Sequence, residues 1–140
     1  MWPQWYIINL VLHSYCKLIC PTGHTITQLR MIFRPLQSEY YLAYVHPFNV
    51  VPQQGAPNHI HPGTGMHLLR RAVRSNGSRV GEVIPIMQVR SPAHLIPNFG
   101  KEAHPRLTHE NSYDVSSEFW LNKYWTKEFY FALSSYPART

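Results

Sequence analysis

Acidic residues are scarce in this chain: seven Asp and Glu stand against thirteen Lys and Arg, a formal net charge of +6. None lies between Phe48 and Gly81. The acids are Glu39, Glu82, Glu102, Glu110, Asp114, Glu118 and Glu128, and no three of them stand in a catalytic context. Cysteine is scarcer still. Two thiols, Cys16 and Cys20, exclude a disulfide scaffold and read as free thiols of a reducing compartment. Long apolar runs are missing as well. The stretch Trp5–Leu12 is broken by Asn9, His13, Ser14 and Lys17 well short of the ~18 residues of a span. No basic residue precedes that stretch and no small-x-small site follows it, so it does not read as a secretory leader. The expected location is therefore intracellular, with no membrane partner. Phosphate-binding and nucleophile motifs are absent too. "GTGMH" lacks the Lys and Ser/Thr of a P-loop and the third glycine of a dinucleotide fingerprint. Ser91, with His94 and Asp114 as its only nominees for a triad, has no G-x-S-x-G elbow around it. No cofactor and no small-molecule substrate are indicated, and the expectation is a protein that is not an enzyme.

Charged residues of both signs make up only 14%, against 44% hydrophobic and 14% aromatic. That balance is globular, and the length suits one domain. Twelve prolines, among them Pro47, Pro52, Pro57 and Pro62, leave few windows in which a long helix runs unbroken. Short strands and turns are expected instead. "QLRMIFRPL" alternates Leu29, Met31 and Phe33 against Gln28, Arg30 and Ile32, as a half-buried strand does. "YYLAYVHPF" reads as a central strand. The Asn76-Gly77 pair predicts a type I′ hairpin turn, with Met66 to Arg74 antiparallel to Arg79 to Ile84. "MQVRSPAHLIPNFG" gives one extended piece. A short helix or turn at Tyr113 to Glu118 is expected before further extended structure. The fold class is mainly β: a partly open small barrel or curled antiparallel sheet with one short C-terminal helix. Its limits are an apolar flanking segment at 1–24, a β-rich domain at 25–135 and a tail at 136–140. The expected core is Leu29, Met31, Phe33, Leu42, Tyr44, Val83, Ile84, Leu95, Ile96, Phe99, Phe119 and Tyr124.

Two clusters carry candidate chemistry. Arg70, Arg71, Arg74 and Arg79 flank the Asn-Gly turn, and guanidinium groups on a rigid ribbon bridge successive phosphates. DNA or an acidic protein segment is the corresponding partner. The second cluster, "PNHIHPGTGMH", offers His59, His61 and His67 as ligands of a cupin-like metal site. The acid that such a site places about four positions after the H-x-H pair is absent, so a solvated histidine-rich turn is the competing reading. A further set, His13, Cys16, Cys20 and His24, has zinc-ligand chemistry, but Pro21 and Gly23 interrupt it. The aromatic stripe Phe119, Trp120, Tyr124 and Trp125 reads as core; a base-stacking role requires those rings exposed beside arginines.

The phrases "LAYVHPF", "GMHLLRRAVRSNGSRVGEVIPI", "AHLIPNFG" and "LTHENSYDVSSEFWLNKYW", in that order, resemble the β-rich C-terminal segment of large fungal transposon-encoded proteins. The corresponding stretches there read approximately L-A-Y-V-x-W-F, G-M-Y-x-V-x-R-S, C-H-L-x-P-K-F-G and W-T-x-E-N followed by F-Y-L-N-x-Y. The resemblance covers about residues 27 to 133. It departs at His46-Pro47-Phe48, where the family carries Trp-Phe, and at Ala93, where it carries Cys. In such proteins the transposase carboxylates belong to a separate upstream domain. The resemblance therefore implies a non-catalytic accessory module, encoded here by itself, acting in the nucleus. A small metal-dependent enzyme and a decayed fragment are the alternatives.

Overall fold

The computed structural model describes residues 14–19, 23–56, 59–125 and 127. These residues are mainly β, with antiparallel ladders and one short helix, as the sequence leads one to expect. Among the described residues no helix is long and apolar enough to cross a membrane. The chain divides into two compact units of interleaved segments: Met1–Phe48 with Ala72–Ala93, and Asn49–Arg71 with His94–Thr140.

The first unit is built on β1 (Ser14–Ile19), β2 (Gly23–Phe33), β3 (Leu42–Val50), β5 (Glu82–Pro85) and β6 (Val89–Ala93). β2 pairs with β1 on one side and β3 on the other, β3 also takes β5, and β6 pairs with β1. The boundary expected between residues 24 and 25 thus falls inside β2, and Ser14–Ile19 of the presumed flank is a strand of the sheet. Residues 1–13, 20–22 and 128–140, with His13 and Cys20 of the zinc candidate and the C-terminal tail, lie outside the described residues. The β2–β3 connection closes on a Pro35 carbonyl that accepts from Ser38 N (3.2 Å), with Gln37 left-handed at φ 63°.

The β2–β3 register shifts between Leu29 and Met31: Leu29 faces Val45 and Met31 faces Tyr44. One extra residue in a strand exchanges the faces beyond it. Leu29 therefore joins Ala43, Val45 and Ile84 in the core, with Ile32 packed against them. Met31, Tyr44 and Val83 fall on the opposite face, where Val83 and Met31 are exposed and Tyr44 is half-buried. This corrects the expected alternation of Leu29, Met31 and Phe33 on one face. Of the expected core, Leu29, Ile84, Leu95 and Phe119 are buried; Phe33, Leu42, Tyr44 and Phe99 are half-buried; Met31, Val83, Ile96 and Tyr124 are exposed. Gly81 sits against Tyr44, and a Cβ placed on it would stand 2.0 Å from the phenol oxygen.

The second unit contains β4 (His67–Arg71), β7 (Leu95–Asn98), α1 (Ser112–Val115) and β8 (Glu118–Leu121). β8 is the centre, pairing with β4 and β7. Leu69, Phe119 and Pro97 stand in register across the three strands, as do His67, Leu121 and Leu95. Phe119 is fully buried, and Leu69 and Leu95 are nearly so. Burial of each such side chain contributes about 1.5–3 kcal/mol. Tyr113 of α1 stacks on Phe119 with ring centroids 5.7 Å apart and donates its hydroxyl to Leu95 O (2.6 Å).

Candidate nucleic-acid interface

The Asn-Gly turn is present, in a different form and with different flanks from those expected. Arg74 N donates to Ser78 O (2.8 Å) and Gly77 N to Arg74 O (2.9 Å), enclosing a three-residue loop. Gly77 is left-handed at φ 81°, but Asn76 is not among the residues of positive φ, which excludes type I′. The Asn76 side chain instead accepts from Ser78 N (3.0 Å) and Ser78 Oγ (2.7 Å). An amide that caps its own turn supplies the tightness that two left-handed residues would otherwise provide. The ladder continues only through the Val73–Arg79 bridge and Val80 N to Ala72 O (3.0 Å). Beyond these contacts next to the loop the expected pairing does not extend: β4 (His67–Arg71) pairs with β8, and Glu82–Pro85 pairs with β3. The reason lies in Leu68 and Leu69, both buried. In β8 this strand meets Phe119 and Leu121, both buried, whereas Val83 of the nearer segment is exposed.

Successive strand residues point to opposite faces, and this divides the arginines. Arg70, opposite Glu118 in the ladder, donates Nε and Nη2 to its Oε1 (3.1 and 2.5 Å). Its side chain stays 58% exposed. Arg71 points inward and is only 8% exposed. Its guanidinium lies 4.9 Å from the Phe119 ring centroid and donates to Tyr113 O and to Ser116 O (3.4 Å). Arg71 is therefore a structural strut, because its donors are consumed by carbonyls of the α1 segment. Arg74 is exposed and Arg79 half-buried on either side of the loop. Arg70 and Arg71 belong to one unit, Arg74 and Arg79 to the other.

The histidine cluster does not converge. His59 is exposed, with φ 56°. His61 Nδ1 accepts from Gly63 N and Thr64 N (both 3.2 Å), and its ring meets Trp120 edge-on at 5.1 Å. His67 stands opposite Leu121, one residue out of phase with Trp120, so strand alternation sends it to the other face. Among the described residues no group of three His, Cys, Asp or Glu is placed to hold a metal ion. The first histidine reading is thus corrected in favour of a turn that uses His61 as its cap.

The residues least expected at the surface lie just after β8. Tyr124 is 57% and Trp125 43% exposed. Trp125 stacks with His94 (5.7 Å, 20° between planes), and Asn122 Nδ2 donates to His94 Nδ1 (3.1 Å). Lys123 Nζ lies 5.2 Å from the Tyr124 ring centroid. Lysine, not arginine, is thus the cation beside these rings. The signal available in the sequence was "NKYWTK", which follows Leu121, the last buried position among the described residues, and breaks the strand alternation.

Burial holds the Tyr113 phenol above its ordinary pKa, consistent with a structural hydroxyl.

A family model described as a domain of unknown function, DUF6830, matches residues 19–69. The matched stretch runs through β2 and β3 to the first residues of β4, so it takes in parts of both units. No curated protein and no solved structure matches the chain.

Proposed function

We propose that the chain is a non-catalytic binding module that contacts DNA phosphates through the hairpin loop of the first unit, with Arg74 and Arg79 as its cations. One observation carries the reading: both arginines flank a three-residue loop held by backbone and Asn76 side-chain hydrogen bonds, in a stretch from Phe48 to Gly81 that contains no acid. A loop backbone already held in a tight turn need not be ordered again when its arginines meet a phosphate. The remainder of the +6 charge supports association at long range. As an accessory segment similar to those of fungal transposon-encoded proteins, it acts in the nucleus.

Arg70 and Arg71 leave the proposed contact set, since one faces Glu118 and the other is buried. The expected salt dependence shrinks accordingly. Two phosphate contacts give a log-log slope of roughly −2, at about −0.9 per phosphate, compared with the −3 to −4 that four arginines imply. Fluorescence anisotropy with a labelled 20-base-pair duplex, titrated at several salt concentrations, measures the slope. Arg74→Ala with Arg79→Ala flattens it towards zero and weakens duplexes of different sequence alike. An unchanged slope in the double variant rejects the hairpin as the contact. Binding of a polyglutamate peptide with no binding of duplex assigns the loop to an acidic protein segment instead.

A further inference from the structure

The turn after β8 holds two aromatic rings at the surface of a protein that buries most of its other described aromatics at least in part. Adjacent exposed rings form contiguous apolar surface, and such surface marks contact sites more often than a single exposed ring does. Trp125 has His94 stacked across one face and is 43% exposed. A third flat ring continues that stack. The charge around it selects the ligand: residues Phe119 to Lys127 contain no acid and include Lys123 and Lys127, and His94 lies in an acid-free run from Val83 to Lys101. The cation that the structure places beside these residues is Lys123, against the Tyr124 ring, which favours an anionic ligand over a cationic one. A flat, neutral π-face on an anionic backbone is the chemistry of an unpaired nucleotide.

We infer that His94, Trp125, Tyr124 and Lys123 form a stacking site of the second unit for unpaired bases of single-stranded nucleic acid. The base extends the His94–Trp125 stack, and Lys123 meets the adjoining phosphate. Stacking tolerates any base, because all four present a π-face, so no strong sequence preference is expected. A duplex, whose bases are already stacked on one another, does not use the site. The inference stands on different residues from the hairpin proposal, and the two fail separately.

The test uses the full chain and two labelled probes, (dT)20 and a 20-base-pair duplex, followed by anisotropy. Trp125→Ala is expected to weaken (dT)20 binding by roughly fivefold to a hundredfold, the range for loss of one stacked base, and to leave the duplex unaffected. Trp125→Phe restores most of the loss. Arg74→Ala with Arg79→Ala does the reverse, acting on the duplex while the Trp125 effect on (dT)20 persists. Should Trp125→Ala not fold, judged by its far-ultraviolet spectrum, Tyr124→Ala and Lys123→Ala at the same exposed turn carry the test. Either of them must weaken (dT)20 at least threefold. Equal (dT)20 binding by the wild type and the folded variants overturns the inference. So does a Trp125-dependent response to a neutral oligosaccharide or proline-rich peptide without one to (dT)20, which assigns the rings to a different ligand.

Discussion

Arg70 and Arg71 are chemically identical neighbours with opposite fates. Arg70 reaches across the ladder to Glu118 in partial exposure, where an ion pair contributes about 0–1 kcal/mol. Arg71 donates to the carbonyls of Tyr113 and Ser116 beneath its contact with Phe119. Charged hydrogen bonds of that kind, with a desolvated cation over a ring, stabilise by more. Arg71→Ala is expected to lower unfolding free energy by about 2–4 kcal/mol in urea titration, while Arg74→Ala stays within about 0.5 kcal/mol. Equal effects would show that the strut is not formed. Tyr113 gives a second residue-scale expectation, this time in pH. Burial raises its folded pKa, so its neutral phenol contributes fully below the unfolded value near 10. That contribution is lost as pH rises from there through the folded value. Tyr113→Phe costs about 1 kcal/mol at neutral pH through the lost bond to Leu95 and makes stability decline less steeply above about pH 10. A variant with the wild-type alkaline slope would refute this role.

Elements were legible where one residue type dictates local geometry and illegible where a distant partner decides. Pro35 ends the region after β2, Asn76-Gly77 makes a turn, and the segment near Tyr113 makes one helical turn. Each of these is a local preference. The register shift between Leu29 and Met31 has no sequence mark, yet it moves Met31 out of the core and puts Ala43 and Val45, not Leu42 and Tyr44, inside. The partner of β4 was equally hidden. Leu68 and Leu69 show that the strand is buried, but nothing local distinguishes Glu118–Leu121 from the nearer Arg79–Ile84 as its neighbour. At the candidate sites, the loop arginines were visible as a cluster, whereas the burial of Arg71 and the exposure of Trp125 follow from which face each strand position occupies. The glycine before β5 tests this packing. Gly81→Ala drives a methyl into Tyr44, and because the ring must move, a loss of about 1–3 kcal/mol is expected. In a Tyr44→Ala background the same substitution should cost nothing. Additive losses in that double-mutant cycle would mean the two residues do not touch.

For the whole molecule, the decisive feature is where β8 stands. It lies between β4 and β7 in the ladder, yet it is the last of the three to be made. While a ribosome is still adding residues, His67–Arg71 and Leu95–Asn98 emerge with apolar side chains and open hydrogen-bonding edges, and their shared neighbour does not yet exist. Pairing across so many intervening residues is slow to nucleate, and waiting edges invite pairing between nascent chains. A chain stopped after Ser117 makes that state permanent: Leu69 and Leu95 keep their places in the sequence but lose Phe119. Such a chain is expected to collect in the insoluble fraction on expression, while the full chain remains in the supernatant. Comparable solubility of the two would show that the second unit is held together without β8. The late arrival of four residues thus makes biosynthesis, as much as the finished contacts, the stage at which this protein is most exposed to aggregation.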